Sequence, residues 1–156
     1  MRYTEGNPGR SELLVLVALG GVVGALARWS ISEVLPHENP VAWPTATFIA
    51  NLSGCLLLGL LVGRLDRFGV DSASWWGPRA RPMLASGVLG GFTTLSAYSA
   101  EVEAMLRAGA AGTAIAYATS SLVLGIALVA LGRAVMGAGV VGRGIGPGDL
   151  AMDEQL

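Results

Sequence analysis

The chain has no lysine, one cysteine (Cys55), one histidine (His37) and few charges of either sign: acidic and basic residues together are 13% of its 156 residues. Each scarcity excludes something. A single cysteine permits neither an intramolecular disulfide nor a thiolate metal cluster. His37 lies between Pro36 and Glu38 in a polar stretch and reads as a loop histidine, because a metal site needs partners that the sequence does not supply. A net charge of −1 gives no basic excess to attract phosphates and excludes a nucleic-acid binder. A soluble domain carries about 25% charged residues, roughly twice the share found here. With 53% hydrophobic residues and a mean hydropathy of +0.59, the chain has more apolar surface than one small soluble domain can hide. An ordinary soluble enzyme and a disordered chain are excluded, and the class is integral membrane protein. The all-arginine basic set, with the Ala, Gly and Val richness, reads as compositional bias rather than chemistry.

Four long windows contain no Asp, Glu, Lys, Arg or His: Leu13 to Ala27, Thr45 to Gly63, Pro82 to Ala100 and Ala108 to Gly132. A helix needs about 20 mostly apolar residues to cross the hydrocarbon. The first window reaches that length only by running through Arg28 toward Leu35. These windows predict an all-α membrane protein with spans at about 11–35, 45–63, 82–105 and 112–134, joined by short loops in one domain over 11–135. Lipid leaves no backbone group unpaired, so the spans are helical except where protein covers a break. Arg28-Trp29-Ser30 makes a poor small-residue cleavage site, so the first span reads as a retained helix rather than a signal peptide. Residues 1–10 and the Gly-rich tail 136–156, acidic at its end, read as flexible segments without a motif.

The arginines are lopsided. Arg2, Arg10, Arg64, Arg67, Arg79, Arg81, Arg133 and Arg143 fall on one side of a four-span topology, and Arg28 and Arg107 on the other. The positive-inside rule then puts both termini in the cytoplasm and predicts one fixed orientation.

Within the first span, Gly20 and Gly24 share a helical face and let a neighbour approach closely. Arg28 lies about one turn further on. It either snorkels to headgroups or stands as a cation at a pore mouth, raising the local anion concentration. In the second span Asn51, with Thr47 one turn before it, reads first as a bridge between helices. Its amide also has two N–H donors that could hold an anion. The third span carries Gly87, Gly90 and Gly91 followed by Thr93 and Thr94, a composition that weakens helical geometry. A break there exposes main-chain carbonyls at mid-membrane, tolerable only where they line a cavity or hold an ion. The fourth span aligns Thr113, Tyr117, Ser121 and Gly125 at spacing four, a polar track or a helix seam.

No carboxylate or histidine lies inside any window. Its absence counts against a proton-coupled exporter and against hydrolytic catalysis, so the chain is not expected to be an enzyme. Hydroxyls, an amide and aromatic rings remain. These are donors for a small, strongly hydrated anion such as fluoride, whose water must be replaced by N–H, O–H and positive ring edges.

Gly20-Gly21 to Gly24-Ala25 with Arg28, the run Thr47 to Asn51 to Gly54, Gly90-Gly91-Phe92-Thr93-Thr94 with Ser96, and Tyr117 with Ser121 follow one another in order. Together, from about Val17 to Arg133, they resemble the fluoride ion channel family (Fluc, also called CrcB). The resemblance implies four-helix subunits packed as an antiparallel dimer in the plasma membrane of a bacterium, with fluoride passing along the dimer interface. It implies a fluoride pathway that includes Asn51, Thr94, Leu95, Ser96, Tyr98, Tyr117 and Ser121, with Arg28 at the vestibule. It also implies a structural sodium ion at the dimer centre, held by the main-chain carbonyls of Gly90 and Thr93. The function implied is passive fluoride export, which lowers cytoplasmic fluoride.

Two features depart from the family pattern. Where the family has Phe-Ser-x-Phe after the two threonines, this chain has Leu95 and Tyr98. Leucine offers no positive ring edge. The arginine asymmetry also opposes insertion in both orientations, which a homodimer of opposed subunits needs. The partner is then either a second copy or an oppositely oriented paralogue. The alternatives are a non-conducting partner subunit of a heterodimer and a small four-helix multidrug exporter.

Overall fold

The computed structural model describes residues 8–36, 39–68 and 77–137. His37 and Glu38, most of the 1–10 segment and all but the first two residues of the 136–156 tail lie outside them. All regular structure among the described residues is helical: α1 (Arg10–Val34), α2 (Thr45–Phe68), α3 (Gly77–Arg81), a π-helix (Pro82–Leu89), α4 (Gly90–Phe92), α5 (Leu95–Arg107) and α6 (Ala111–Gly137). Three helices, over Arg10–Val34, Thr45–Arg67 and Ala111–Gly137, are long and apolar enough to cross a membrane.

The ends follow local chemistry. Pro44, with no amide hydrogen to leave unpaired, sits at the entry of α2, and its carbonyl receives the Phe48 N–H at 3.0 Å. Beyond α5, Gly109 takes φ +78°. Gly109 N–H bonds the Leu106 carbonyl (3.1 Å) and Ala110 N–H the Met105 carbonyl (2.9 Å). This is a Schellman closure, and it turns the chain back into α6.

The stretch predicted as one span at 82–105 is three helical pieces, the π-helix, α4 and α5. The break is not in the glycines: Gly90 to Phe92 are helical, and the chain leaves helical geometry at Thr93 (φ −80°, ψ 153°) and Thr94 (φ −144°, ψ 118°). The glycines serve packing instead. A Cβ on Gly24 would lie 2.0 Å from the Val88 carbonyl oxygen, and one on Gly91 would lie 2.3 Å from that of Gly21. The backbones of α1 and the π-helix to α4 segment therefore touch directly. The α2–α6 pair is built the same way, Gly59 against Val129 and Gly132 against Leu56. Without a hydrophobic drive between helices in lipid, close backbone contact supplies the packing energy.

Few side chains are buried, as suits a chain whose outer faces meet lipid. The interior cluster is Met105, Ala114 and Tyr117, packed by Trp43, Phe48, Tyr98, Val102 and Ala110. Along α1, Leu14, Leu19, Val22, Val23 and Leu26 are all more than half exposed.

Candidate functional site

The Thr93–Thr94 break faces α2. Asn51 of α2 meets it twice: Oδ1 accepts the Thr94 N–H at 2.8 Å and Nδ2 donates to the Thr94 carbonyl at 3.1 Å. The Thr94 hydroxyl then caps α5 by accepting the Ala97 N–H (3.1 Å) and lies 3.1 Å from the Ser96 hydroxyl. Thr at the cap position settles an otherwise unpaired donor of the first turn. Asn51 is thus the bridge between helices that its position suggested.

A groove of about 410 Å³ opens beside this break, lined by Asn51, Thr94, Leu95, Tyr98 and Ser121 among others, with Gly90 and Thr93 at its wall. Leu95 is 77% exposed. The Ser121 hydroxyl oxygen is buried and has no hydrogen-bond partner. A buried hydroxyl without a partner is costly, which sets Ser121 apart from the other polar side chains of the groove. A second groove of about 850 Å³, between α2 and α6, shares Cys55, Ser121 and Leu122 with the first.

Not all residues implied by the resemblance line this groove. Tyr117 is fully buried and sits behind Tyr98, ring centroids 5.4 Å apart. Ser96 is exposed at the α5 start. Arg28 is half-buried, and its Nε points to the Gly91 carbonyl at 3.4 Å. This ties the end of α1 to the turn before the break.

The structure adds a residue that the sequence reading did not single out. Glu101, the first residue beyond the charge-free window, turns inward from α5. Its Oε1 accepts from the Thr47 hydroxyl at 2.5 Å and its Oε2 from the Tyr117 hydroxyl at 2.8 Å. Trp43 and Phe48 pack against Tyr117. The interior therefore holds a carboxylate after all, of the kind a coupled exporter needs. A second unforeseen pair lies at the other end of α1, where Arg79 of α3 grips Glu12 with Nε (2.6 Å) and Nη2 (3.2 Å).

Among the described residues, no group of three or more His, Cys, Asp or Glu could hold a metal ion. The oxygens near the break are main-chain carbonyls, the Thr93, Thr94 and Ser96 hydroxyls and the Asn51 amide. Helices able to cross a membrane and a groove walled by a broken helix, an amide and hydroxyls define an integral membrane protein whose polar machinery lies between its helices.

The family model described as "CrcB-like protein, Camphor Resistance (CrcB)" matches residues 15–133. The chain is 42% identical over 120 residues to a protein named "Fluoride-specific ion channel FluC" from Methylobacillus flagellatus, covering 76% of this chain and 90% of the relative. It is 44% identical over 118 residues to one of the same name from Hyphomonas neptunium (76% and 90%). For another from Thermus thermophilus the identity is 41% over 127 residues (81% and 97%). The chain belongs to the CrcB family.

Proposed function

We propose that this chain is a subunit of a fluoride-selective channel through which fluoride leaves the cell down its electrochemical gradient. The observation that carries this is the buried, unpartnered Ser121 hydroxyl in a groove shared with Asn51, Thr94 and Tyr98, in a member of this family. A hydroxyl donor, the Asn51 N–H not used on Thr94 and the Tyr98 ring edge are what a dehydrating fluoride ion needs. HF enters uncharged, dissociates in a neutral cytoplasm and traps the anion there. An open pore then suffices, because the membrane potential contributes about 2.3 kcal/mol per charge per 100 mV. No enzymatic step is involved.

In this reading α3 to α5 together make the third of four crossings, and the termini are cytoplasmic in a bacterial plasma membrane. The open groove is completed by an antiparallel partner. The uneven arginines favour an oppositely oriented paralogue over a second copy. The Gly90 and Thr93 carbonyls hold a structural sodium ion at the dimer centre. Hard, uncharged oxygens of unwound helix suit a monovalent cation, which supplies fixed positive charge near the anion path. Ser96 and Tyr117 support the pathway from its entrance and from behind Tyr98, and Arg28 draws anions to the vestibule.

A second reading is a non-conducting partner subunit, favoured by Leu95, which presents an aliphatic side chain where the family pattern has a ring. Fluoride efflux from liposomes, followed with a fluoride electrode, tests both. Rapid efflux from this chain alone makes it a self-sufficient channel and removes the heterodimer. Efflux only with the paralogue makes it an obligate half-channel. If the paired protein conducts and Ser121→Ala in this chain changes nothing, the non-conducting reading holds.

A further inference from the structure

We propose that Asn51 and Thr94 are positioning residues that create the carbonyl pair at the break, by diverting the two amide hydrogens that a continuing helix would give to Gly90 and Thr93. The inference rests on the reading of those carbonyls as cation ligands and adds what makes them available.

In an α-helix each N–H bonds the carbonyl four residues before it. A helix running unbroken through this region would join Thr94 N–H to the Gly90 carbonyl and Ala97 N–H to the Thr93 carbonyl. Both hydrogens go elsewhere. Thr94 N–H is taken by Asn51 Oδ1 (2.8 Å) and Ala97 N–H by Thr94 Oγ1 (3.1 Å). The residue just before keeps its helical bond: Thr93 N–H and the Thr93 hydroxyl both reach the Leu89 carbonyl, each at 2.9 Å. The diversion therefore begins at Thr94.

Helix α2 fixes the break at two points one turn apart. Asn51 Nδ2 returns a bond to the Thr94 carbonyl (3.1 Å), so the amide clamps that residue from both sides. Gly54 receives Thr93, for a Cβ there would lie 2.3 Å from Thr93 Cγ2. Side chains competing for backbone partners is the means by which Asn and Thr interrupt helices elsewhere. Of the carbonyls that the interruption frees, these bonds account for those of Gly90 and Thr93, and they leave neither of the two diverted amides unmet. The interruption also commits the Asn51 oxygen, so one Nδ2 hydrogen remains for the groove, and the anion sees Asn51 as a donor only.

Two measurements on the full-length protein with its partner test this. Amide hydrogen exchange reads the break, and ²²Na⁺ retention by purified protein reads the carbonyl pair. Asn51→Leu and Thr94→Val should each raise exchange at the diverted amide at least tenfold and lower sodium retention at least tenfold. Thr94→Ser should restore both to within about threefold. Asn51→Asp keeps the acceptor for Thr94 N–H but loses the donor. It should retain sodium while fluoride flux falls at least tenfold, a split that a general packing defect does not produce, and it serves if Asn51→Leu does not fold. Wild-type exchange and sodium retention in Asn51→Leu and Thr94→Val would overturn the proposal, as would joint loss of sodium and flux in Asn51→Asp. If the wild type retains no sodium, the cation reading fails. Faster exchange at Thr94 in Asn51→Leu would still support the clamp in that case.

Discussion

The Tyr117 hydroxyl donates to Glu101 Oε2 at 2.8 Å from a ring with no exposed surface. The other carboxylate oxygen takes the Thr47 hydroxyl, so α2, α5 and α6 converge on one acidic group. A carboxylate in such a place is tolerated only because both oxygens are bonded. Tyr117→Phe should therefore lower stability by about 1–3 kcal/mol, the range for stranding a buried polar partner. Thr47→Val should act in the same direction. Because both changes fall on one group, the double variant should cost less or more than the sum of the two, and not equal it. Thermal unfolding in detergent, read by circular dichroism, gives all three values.

Glycine substitutions separate packing from propensity. Gly24→Ala puts a methyl 2.0 Å from the Val88 carbonyl oxygen, backbone against backbone, with no flexible side chain to move aside. Gly112, at the start of α6, has nothing within 4 Å of a built Cβ. Gly112→Ala should be neutral or stabilising by up to about 1 kcal/mol, from helix propensity alone. Gly24→Ala should separate α1 from the π-helix and reduce the yield of folded, monodisperse protein. Equal melting temperatures for the two variants would contradict the contact.

How much was legible beforehand depends on what each feature needs. The three long helices were visible because a charge-free apolar run has one solution in lipid, and no tertiary knowledge is required. The break was visible as a composition, glycines then threonines. Its position was not: the helix continues through Gly90 to Phe92, where Gly91 seats against Gly21 of α1, and the interruption falls where Asn51 can reach Thr94. That bond joins residues 43 apart. Glu101 was missed because a scan for uncharged windows stops at the first carboxylate, and this one ends the window after Ala100. Its place on the Tyr98 face of α5, three residues on, was the available signal that it turns inward. The Glu12–Arg79 pair spans 67 residues and left no local trace. Arg79 looked like one more cytoplasmic charge.

The two ion pairs that tie distant helices should differ in weight. Asp66 and Arg133 are both largely solvated, with side chains 49% and 65% exposed. Pairs of that kind contribute about 0–1 kcal/mol, so Asp66→Asn should be close to silent and its small effect should vanish in high salt. Arg79 is nearly buried at 7% exposure and holds Glu12 through two hydrogen bonds. Glu12→Gln leaves that guanidinium facing a neutral amide. It should lower the melting temperature more than Asp66→Asn does, with the loss persisting in high salt. Melting curves at low and high sodium chloride would rank the two.

Ser121 offers the sharpest separation of function from folding. Its hydroxyl oxygen is buried and unpartnered, so within the subunit Ser121→Ala removes a desolvation cost and loses no bond. Stability should hold or rise. If the hydroxyl serves the ion, the same change removes a donor when fluoride sheds water. A charge-assisted hydrogen bond is worth about 1.5–3 kcal/mol, and every 1.4 kcal/mol is tenfold in an equilibrium. Fluoride efflux should then fall by roughly 10- to 100-fold, with Ser121→Thr, which keeps the hydroxyl, retaining more flux than alanine. A silent Ser121→Ala in an otherwise conducting assembly would take the ion path out of this subunit's groove, as the non-conducting reading has it, for the groove offers no second buried hydroxyl left without a partner among the described residues.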